Sequence, residues 1–172
     1  MSSVVVIGIG NPLRGDDGVG WTIVQLVRRR LPPSAVVVET GGDATLLLEF
    51  WRDAYAAVLV DAAQSGVIPG TISRFDLTGG GAVPTPVSSH SFGIAEAVAL
   101  GRVLRQVPPR LIVFTIEGRA FSLGSHVSTP VARAVPTAAR QVLAEARLHM
   151  GVGMATPAPR TPGRRRAPRT WL

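Results

Sequence analysis

Short continuous apolar runs alternate along the chain with segments whose apolar residues recur at helical spacing. The runs that predict strands cover residues 4–9, 35–38, 56–60, 71–77 and 111–116. The segments that predict helices cover residues 18–31, 44–51, 92–103 and 129–147. The first run is β-branched except at Gly8 and is followed by Gly10, which is typical of a strand buried on both faces of a parallel sheet.

The order of these elements defines the expected architecture. Only about ten residues separate Asp61 from the fourth run, too few for a helical crossover, so that strand is predicted to be antiparallel. We therefore expect one α/β domain of three layers, with a mostly parallel five-stranded sheet and helices on both faces. The domain is predicted to span residues 1–150. Residues 151–172 are rich in proline and arginine and are predicted to be a disordered tail.

Composition narrows the chemistry that the chain can perform. None of the 172 residues is cysteine, and all eighteen cationic residues are arginine. Disulfides, thiolate ligands, cysteine nucleophiles and lysine Schiff bases are therefore excluded. Any catalysis must use aspartate, glutamate, histidine, serine, threonine or a bound metal.

The net charge of +7 is concentrated at one end of the chain. Five arginines and no acid lie within residues 160–172, and the remainder carries thirteen basic and eleven acidic residues. Nucleic acid is therefore disfavoured as a partner, despite the high charge. No run approaches the roughly 18 apolar residues of a membrane span, and no export signal is evident. We expect a cytoplasmic monomer that does not contact a membrane.

Candidate functional residues follow from the sheet. In open α/β sheets, ligands bind outside the carboxyl ends of the strands, near the point where strand order reverses. Asp16 and Asp17 follow the first predicted strand, and Asp61 ends the third. His90 closes the loop before the third predicted helix. With strands ordered 2-1-3, the carboxylates would open onto one crevice.

Each candidate also has a structural interpretation. One aspartate of the Asp16-Asp17 pair can cap the helix, which leaves the other to point elsewhere. Asp61 must cap a turn, pair with arginine or bind a ligand. His90 alone is weak evidence, whereas His126 and His149 are interpreted as structural or solvent-exposed. Two carboxylates and an imidazole together form an oxygen and nitrogen ligand set that suits nickel, zinc or manganese.

Two common enzyme signatures are absent from the sequence. There is no G-x-S-x-G elbow, which argues against a serine esterase. The segment GIGNPL at residues 8–13 lacks the third glycine of the dinucleotide fingerprint.

Four segments together resemble a known family. They are GIGNPLRGDDGVG at residues 8–20, the glycine pair at 41–42, VLVDAAQSGVIPGT at 58–71 and SSHSFGIAEAVAL at 88–100. In this order they resemble the hydrogenase maturation proteases, which cleave a C-terminal extension from the large subunit of nickel–iron hydrogenases. The resemblance covers about residues 3–147 and implies a single-domain endopeptidase whose partner is the large-subunit precursor.

The resemblance also assigns the site. It implies that Asp17, Asp61 and His90 contact a metal, namely nickel already held by the precursor, and that another divalent ion such as zinc can replace it in vitro. Water, activated by the metal or by one carboxylate, would then attack the scissile carbonyl. The two carboxylates alone would also support an aspartic peptidase. The family often has an aspartate immediately before the glycine pair, where this chain has Thr40, followed by Asp43 after the pair.

Two other functions compete with this interpretation. The opening Gly-Ile-Gly-Asn-Pro also resembles peptidyl-tRNA hydrolases, but residues 13–30 contain no histidine to serve that chemistry. A non-catalytic nickel-binding maturation factor would use the same three ligands without hydrolysis. For the protease, substrate choice is predicted to lie in residues 79–89 and around residues 121–126.

Overall fold

The computed structural model describes residues 4–81 and 91–152. Its strands are β1 (Val4–Ile9), β2 (Val36–Thr40), β3 (Ala56–Ala63), β4 (Ile72–Asp76) and β5 (Arg110–Glu117). Its α-helices are α1 (Val19–Arg28), α2 (Ala44–Trp51), α3 (Ser91–Leu104) and α4 (Thr129–Val152). Short 3-10 helices occupy Gly15–Gly18 and Thr78–Gly80.

The five strands form one sheet in the order β2-β1-β3-β5-β4. The first four strands of that order are parallel to one another, and β4 pairs antiparallel with β5. Both the 2-1-3 order and the antiparallel fourth strand are confirmed. The carboxyl ends of β1, β3 and β5 therefore meet at one edge of the sheet, which we call the carboxyl edge.

Alternation along β3 separates the two faces of the sheet. Val58 and Val60 pack with α1 and α4 in one apolar cluster. Ala57 and Leu59 pack with α2 and α3 in a second cluster on the opposite face. The predicted three-layer arrangement, with helices on both faces, is confirmed. Within residues 4–81 and 91–152, no helix has the length and apolar character needed to cross a membrane.

Several predicted element ends were wrong; β2 reaches Thr40 rather than residue 38, and α1 stops at Arg28 rather than residue 31. Strand β3 continues to Ala63 because β5 extends to Glu117, which pairs with Ala63. Asp61 therefore lies inside β3, paired with Thr115, rather than after its end. Helix α4 runs to Val152, past the expected end near residue 147. Most of the predicted tail, residues 153–172, lies outside the described residues, so its disorder stays a prediction.

The edge strand β4 is fastened to α4 by one carboxylate. Arg74 donates from Nε and from a terminal nitrogen to Glu145, both at 2.9 Å. His149 lies 3.0 Å from the same carboxylate and is 8% exposed, which confirms its structural interpretation. The hydrogen bond from Arg74 outweighs burial and, with His149, holds the pKa of Glu145 below its usual value.

We expect Glu145→Gln to lower the free energy of unfolding by about 1 kcal/mol at pH 7, because Arg74 is half-exposed and such pairs contribute little. A lowered folded-state pKa gives stability above the unfolded pKa that is lost as pH falls through the folded value. The difference from wild type should therefore shrink at pH 3. Urea unfolding at both pH values tests this, with the exposed Glu49→Gln on α2 as control. An equal difference at both pH values would contradict it.

Candidate functional site

Asp17 lies at the carboxyl end of β1, in the 3-10 helix that leads into α1. Its carbonyl oxygen packs directly against Gly10, which has a φ of +135°. A Cβ at Gly10 would overlap that oxygen, and the backbone angle is one that favours glycine. Gly10 thus lets the chain fold back over the strand end and bring Asp17 to the carboxyl edge.

Asp61 lies two residues before the end of the neighbouring strand β3, on the face of the sheet that carries Ala57 and Leu59. Its Oδ1 accepts a hydrogen bond of 2.8 Å from the Ala62 N–H. The preceding carbonyl, that of Val60, contacts Gly20 in the first turn of α1. Because Gly20 follows Asp17 by three residues, the backbone segments that carry the two predicted site residues meet at the carboxyl edge. Asp17 and Asp61 are each only 1% exposed.

Asp16, unlike Asp17, has a structural role that its hydrogen bonds define. Its carboxylate accepts hydrogen bonds from the backbone N–H groups of Arg119, Ala120 and Ser128 at 2.6–2.9 Å, and from the Ser128 hydroxyl at 2.9 Å. The N-cap of α1 is Gly18, so the expectation that one of the two aspartates caps this helix was wrong. Asp16 instead fastens the loop after β5 to the loop after β1.

These contacts set the electrostatics of Asp16. Burial acts to raise the pKa of its carboxyl group, but hydrogen bonds from Arg119, Ser128 and Ala120 favour the ionised form more strongly. The net result is a pKa below the usual value. Asp16 is therefore an ionised, fully buried structural carboxylate beside Asp17.

Glu117 is a second structural carboxylate at this edge, and the sequence analysis missed it. It is 3% exposed and accepts hydrogen bonds from the Ser65 N–H, the Ser65 hydroxyl and the Gly66 N–H at 2.7–2.9 Å. Glu117 therefore anchors the loop that follows β3. The rule that selected Asp61, an acid at the carboxyl end of a buried parallel strand, would also have found Glu117.

His90, the third predicted ligand, lies outside the described residues. The structure does define the start of the helix that follows it. Gly93, in the first turn of α3, packs against the carbonyl oxygen of Gly42 in the turn after β2. Helix α3 therefore begins at the carboxyl edge, on the same face of the sheet as Asp61.

The turn between β2 and α2 shows what replaces the family's aspartate. Thr40 is buried, and its hydroxyl accepts a hydrogen bond of 3.3 Å from the Gly42 N–H. Asp43 caps α2 as predicted, accepting from the N–H groups of Thr45 and Leu46. Its hydrogen bond with the Thr45 side chain is the main cause of its lowered pKa. Asp43 is therefore committed to the helix and does not take over the position held by Thr40.

The donor chemistry at the carboxyl edge suits a divalent cation. Two buried carboxylates at adjoining strand ends are costly in an apolar setting, and a cation of hard or borderline character offsets that cost. Within residues 4–81 and 91–152, no three histidine, aspartate or glutamate side chains form a group that could hold a metal. To hold a metal, Asp17 and Asp61 would thus need a further ligand, and His90 is the residue predicted to supply it.

Gly93→Ala should disturb the carboxyl edge, because the added Cβ meets the Gly42 carbonyl oxygen and one backbone must shift. We expect a loss of about 1–3 kcal/mol in unfolding free energy, typical of overpacking. Thermal and urea unfolding measure it. In the control Gly151→Ala, the new methyl group meets nothing within 4 Å, and the helix should be unchanged or slightly stabilised. Equal stability of the two variants would contradict the expectation.

Sequence comparisons identify a known family to which this chain is similar. A sequence model of the hydrogenase maturation protease family matches residues 22–145. The hydrogenase expression/formation protein HupD of Rhodobacter capsulatus is 27% identical over 150 residues, covering 82% of this chain and 71% of the relative.

Solved structures share the fold. The hydrogenase maturating endopeptidase HybD of Escherichia coli superimposes with a TM-score of 0.74 at 23% identity, covering 84% of this chain and 92% of that chain. HybD of Thermococcus kodakarensis, a [NiFe] hydrogenase maturation protease, gives a TM-score of 0.64 at 22% identity, with coverages of 83% and 98%. The chain is a peptidase and belongs to the hydrogenase maturation protease family.

Proposed function

We propose that the protein is an endopeptidase that removes the C-terminal extension of a nickel–iron hydrogenase large-subunit precursor after nickel insertion. The observation that carries this proposal is the pair of buried aspartates, Asp17 and Asp61, at adjoining carboxyl ends of β1 and β3 in a chain of this family.

The nickel of the substrate is the proposed recognition element. Asp17, Asp61 and His90 would ligate nickel that the precursor already holds, so that only a loaded precursor is fixed in the site. Carboxylate oxygens and an imidazole nitrogen are suitable ligands for nickel. Binding through the cargo would make cleavage report on cofactor loading. Zinc or another divalent ion would compete for the same ligands in vitro.

Hydrolysis then requires an activated water near the scissile carbonyl. In a metal-assisted route, the substrate's nickel polarises the carbonyl or the water. In an aspartic route, one ionised carboxylate takes a proton from the water while the other carboxyl group stays protonated. The two routes differ in one measurable respect, because only the first needs nickel for the chemical step as well as for recognition.

The test is incubation of the purified protein with an unprocessed large-subunit precursor, prepared with and without nickel, followed by intact mass measurement. We expect loss of one C-terminal peptide from the nickel-loaded precursor only. Cleavage of both forms would overturn the role of nickel and favour the aspartic route. Tight nickel binding without cleavage would support a carrier, and absence of both would favour the RNA-directed alternative.

A further inference from the structure

A shallow apolar groove lies on the loop that leads from β1 to the 3-10 helix containing Asp17. It is lined by Pro12, Leu13, Leu123, Gly124 and Ser125. Leu13 is 67% exposed and Leu123 is 76% exposed, so the groove presents two large apolar side chains to solvent. We call these five residues the leucine groove.

The leucine groove is continuous with the proposed site. Pro12 packs against Gly18, where an added Cβ would lie 2.7 Å from the Pro12 Cα. Gly18 directly follows Asp17, so the same short loop carries one wall of the groove and one of the two site carboxylates. A chain segment bound in the groove would therefore lie against the loop that carries Asp17.

The groove is also held rigidly. The Gly124 N–H donates to the Leu13 carbonyl at 2.8 Å, and Nε of Arg14 donates to the Phe121 carbonyl at 3.1 Å. The four hydrogen bonds to Asp16 fasten the same two loops from beneath. Exposed leucines on a surface that is already ordered bind an apolar side chain without the entropic cost of ordering a loop.

The size of the groove decides between possible occupants. A stable dimer buries about 800 Å² on each partner, far more than two leucines, a proline and two small residues provide. The chain's own residues 153–172 carry five arginines and no acid, and Arg14 lies beside the groove, so repulsion between like charges disfavours this segment as the occupant. A single apolar side chain of a substrate segment fits the dimensions and the position.

We propose that the leucine groove binds an apolar side chain of the precursor segment next to the scissile bond. The inference rests on the proposed function and extends it from the reacting centre to a specificity-determining surface. Leu13 and Leu123 act in binding and do not take part in the chemistry.

The kinetic test compares Leu123→Ser with Leu148→Ser, a control at a leucine on α4 that is 64% exposed. Nickel-loaded precursor is the substrate. We expect Leu123→Ser to raise KM about tenfold with kcat within twofold of wild type, the pattern for loss of uniform binding. Leu123→Met should restore KM, and Leu148→Ser should match wild type. An unchanged KM in both Leu123→Ser and the double variant Leu13→Ser/Leu123→Ser would overturn the proposal.

A second readout does not depend on cleavage. A photo-crosslinking amino acid at position 123 should capture the C-terminal segment of the precursor, as mapped by mass spectrometry, whereas the same group at position 148 should not. Capture of a second copy of the chain, or of its own residues 153–172, would overturn the proposal. If wild type fails to cleave, the proposed function fails, while the crosslink still decides what occupies the groove.

Discussion

Asp61→Asn should reduce kcat/KM for removal of the C-terminal extension by at least about a thousandfold, within the range expected when a group acting on the reacting atoms is lost. Asparagine has almost the same shape, but it is neutral and binds divalent cations more weakly than a carboxylate. Asp17→Asn should have an equally large effect. Intact mass measured over time with nickel-loaded precursor gives the rates.

The matched control is Asp43→Asn. Asp43 is an exposed N-cap on α2, and asparagine caps a helix as well as aspartate does. This variant should cleave at the wild-type rate. Thermal unfolding should show that Asp17→Asn and Asp61→Asn remain folded, because asparagine keeps the shape of the side chain and one acceptor oxygen. Full activity in either variant would show that its carboxylate has no part in the reaction.

Much of this site could be predicted because it depends on the sheet. A continuous apolar run identifies β1 and β3, and the order of the strands places their carboxyl ends side by side. Asp17 and Asp61 were therefore selected without knowledge of any contact. The end of β3 was missed because pairing with β5, not the composition of residues 61–63, determines where the strand stops.

The roles of Asp16 and Glu117 could not be predicted in the same way. Asp16 is bound by N–H groups 103–112 residues away, and Glu117 by groups 51–52 residues away. Almost every residue has a backbone N–H group, so the sequence does not indicate which loops donate hydrogen bonds to these two carboxylates. Within residues 4–81 and 91–152, the carboxyl edge thus contains four buried acids, of which Asp16 and Glu117 fasten loops and Asp17 and Asp61 are the carboxylates proposed for the reaction.

Asp16→Ala should destabilise the protein by about 3 kcal/mol at pH 7, because it leaves three partly or fully buried N–H groups in the loop after β5 without their acceptor. Ser128→Ala removes only one of the four hydrogen bonds and should cost about 1 kcal/mol. Urea unfolding measures both. Asp53→Ala, at an exposed residue with an ion pair of 3.6 Å to Arg52, should stay within about 0.5 kcal/mol of wild type.

The pH dependence of Asp16→Ala separates the loss of charge from a general loss of packing. The folded-state pKa of Asp16 is lowered, so its stabilising contribution is complete above the unfolded value near 3.9 and disappears as pH falls through the folded value. The gap between wild type and Asp16→Ala should narrow steadily below about pH 4. A gap of constant size down to pH 2 would mean that the ionised carboxylate is not what joins the two loops.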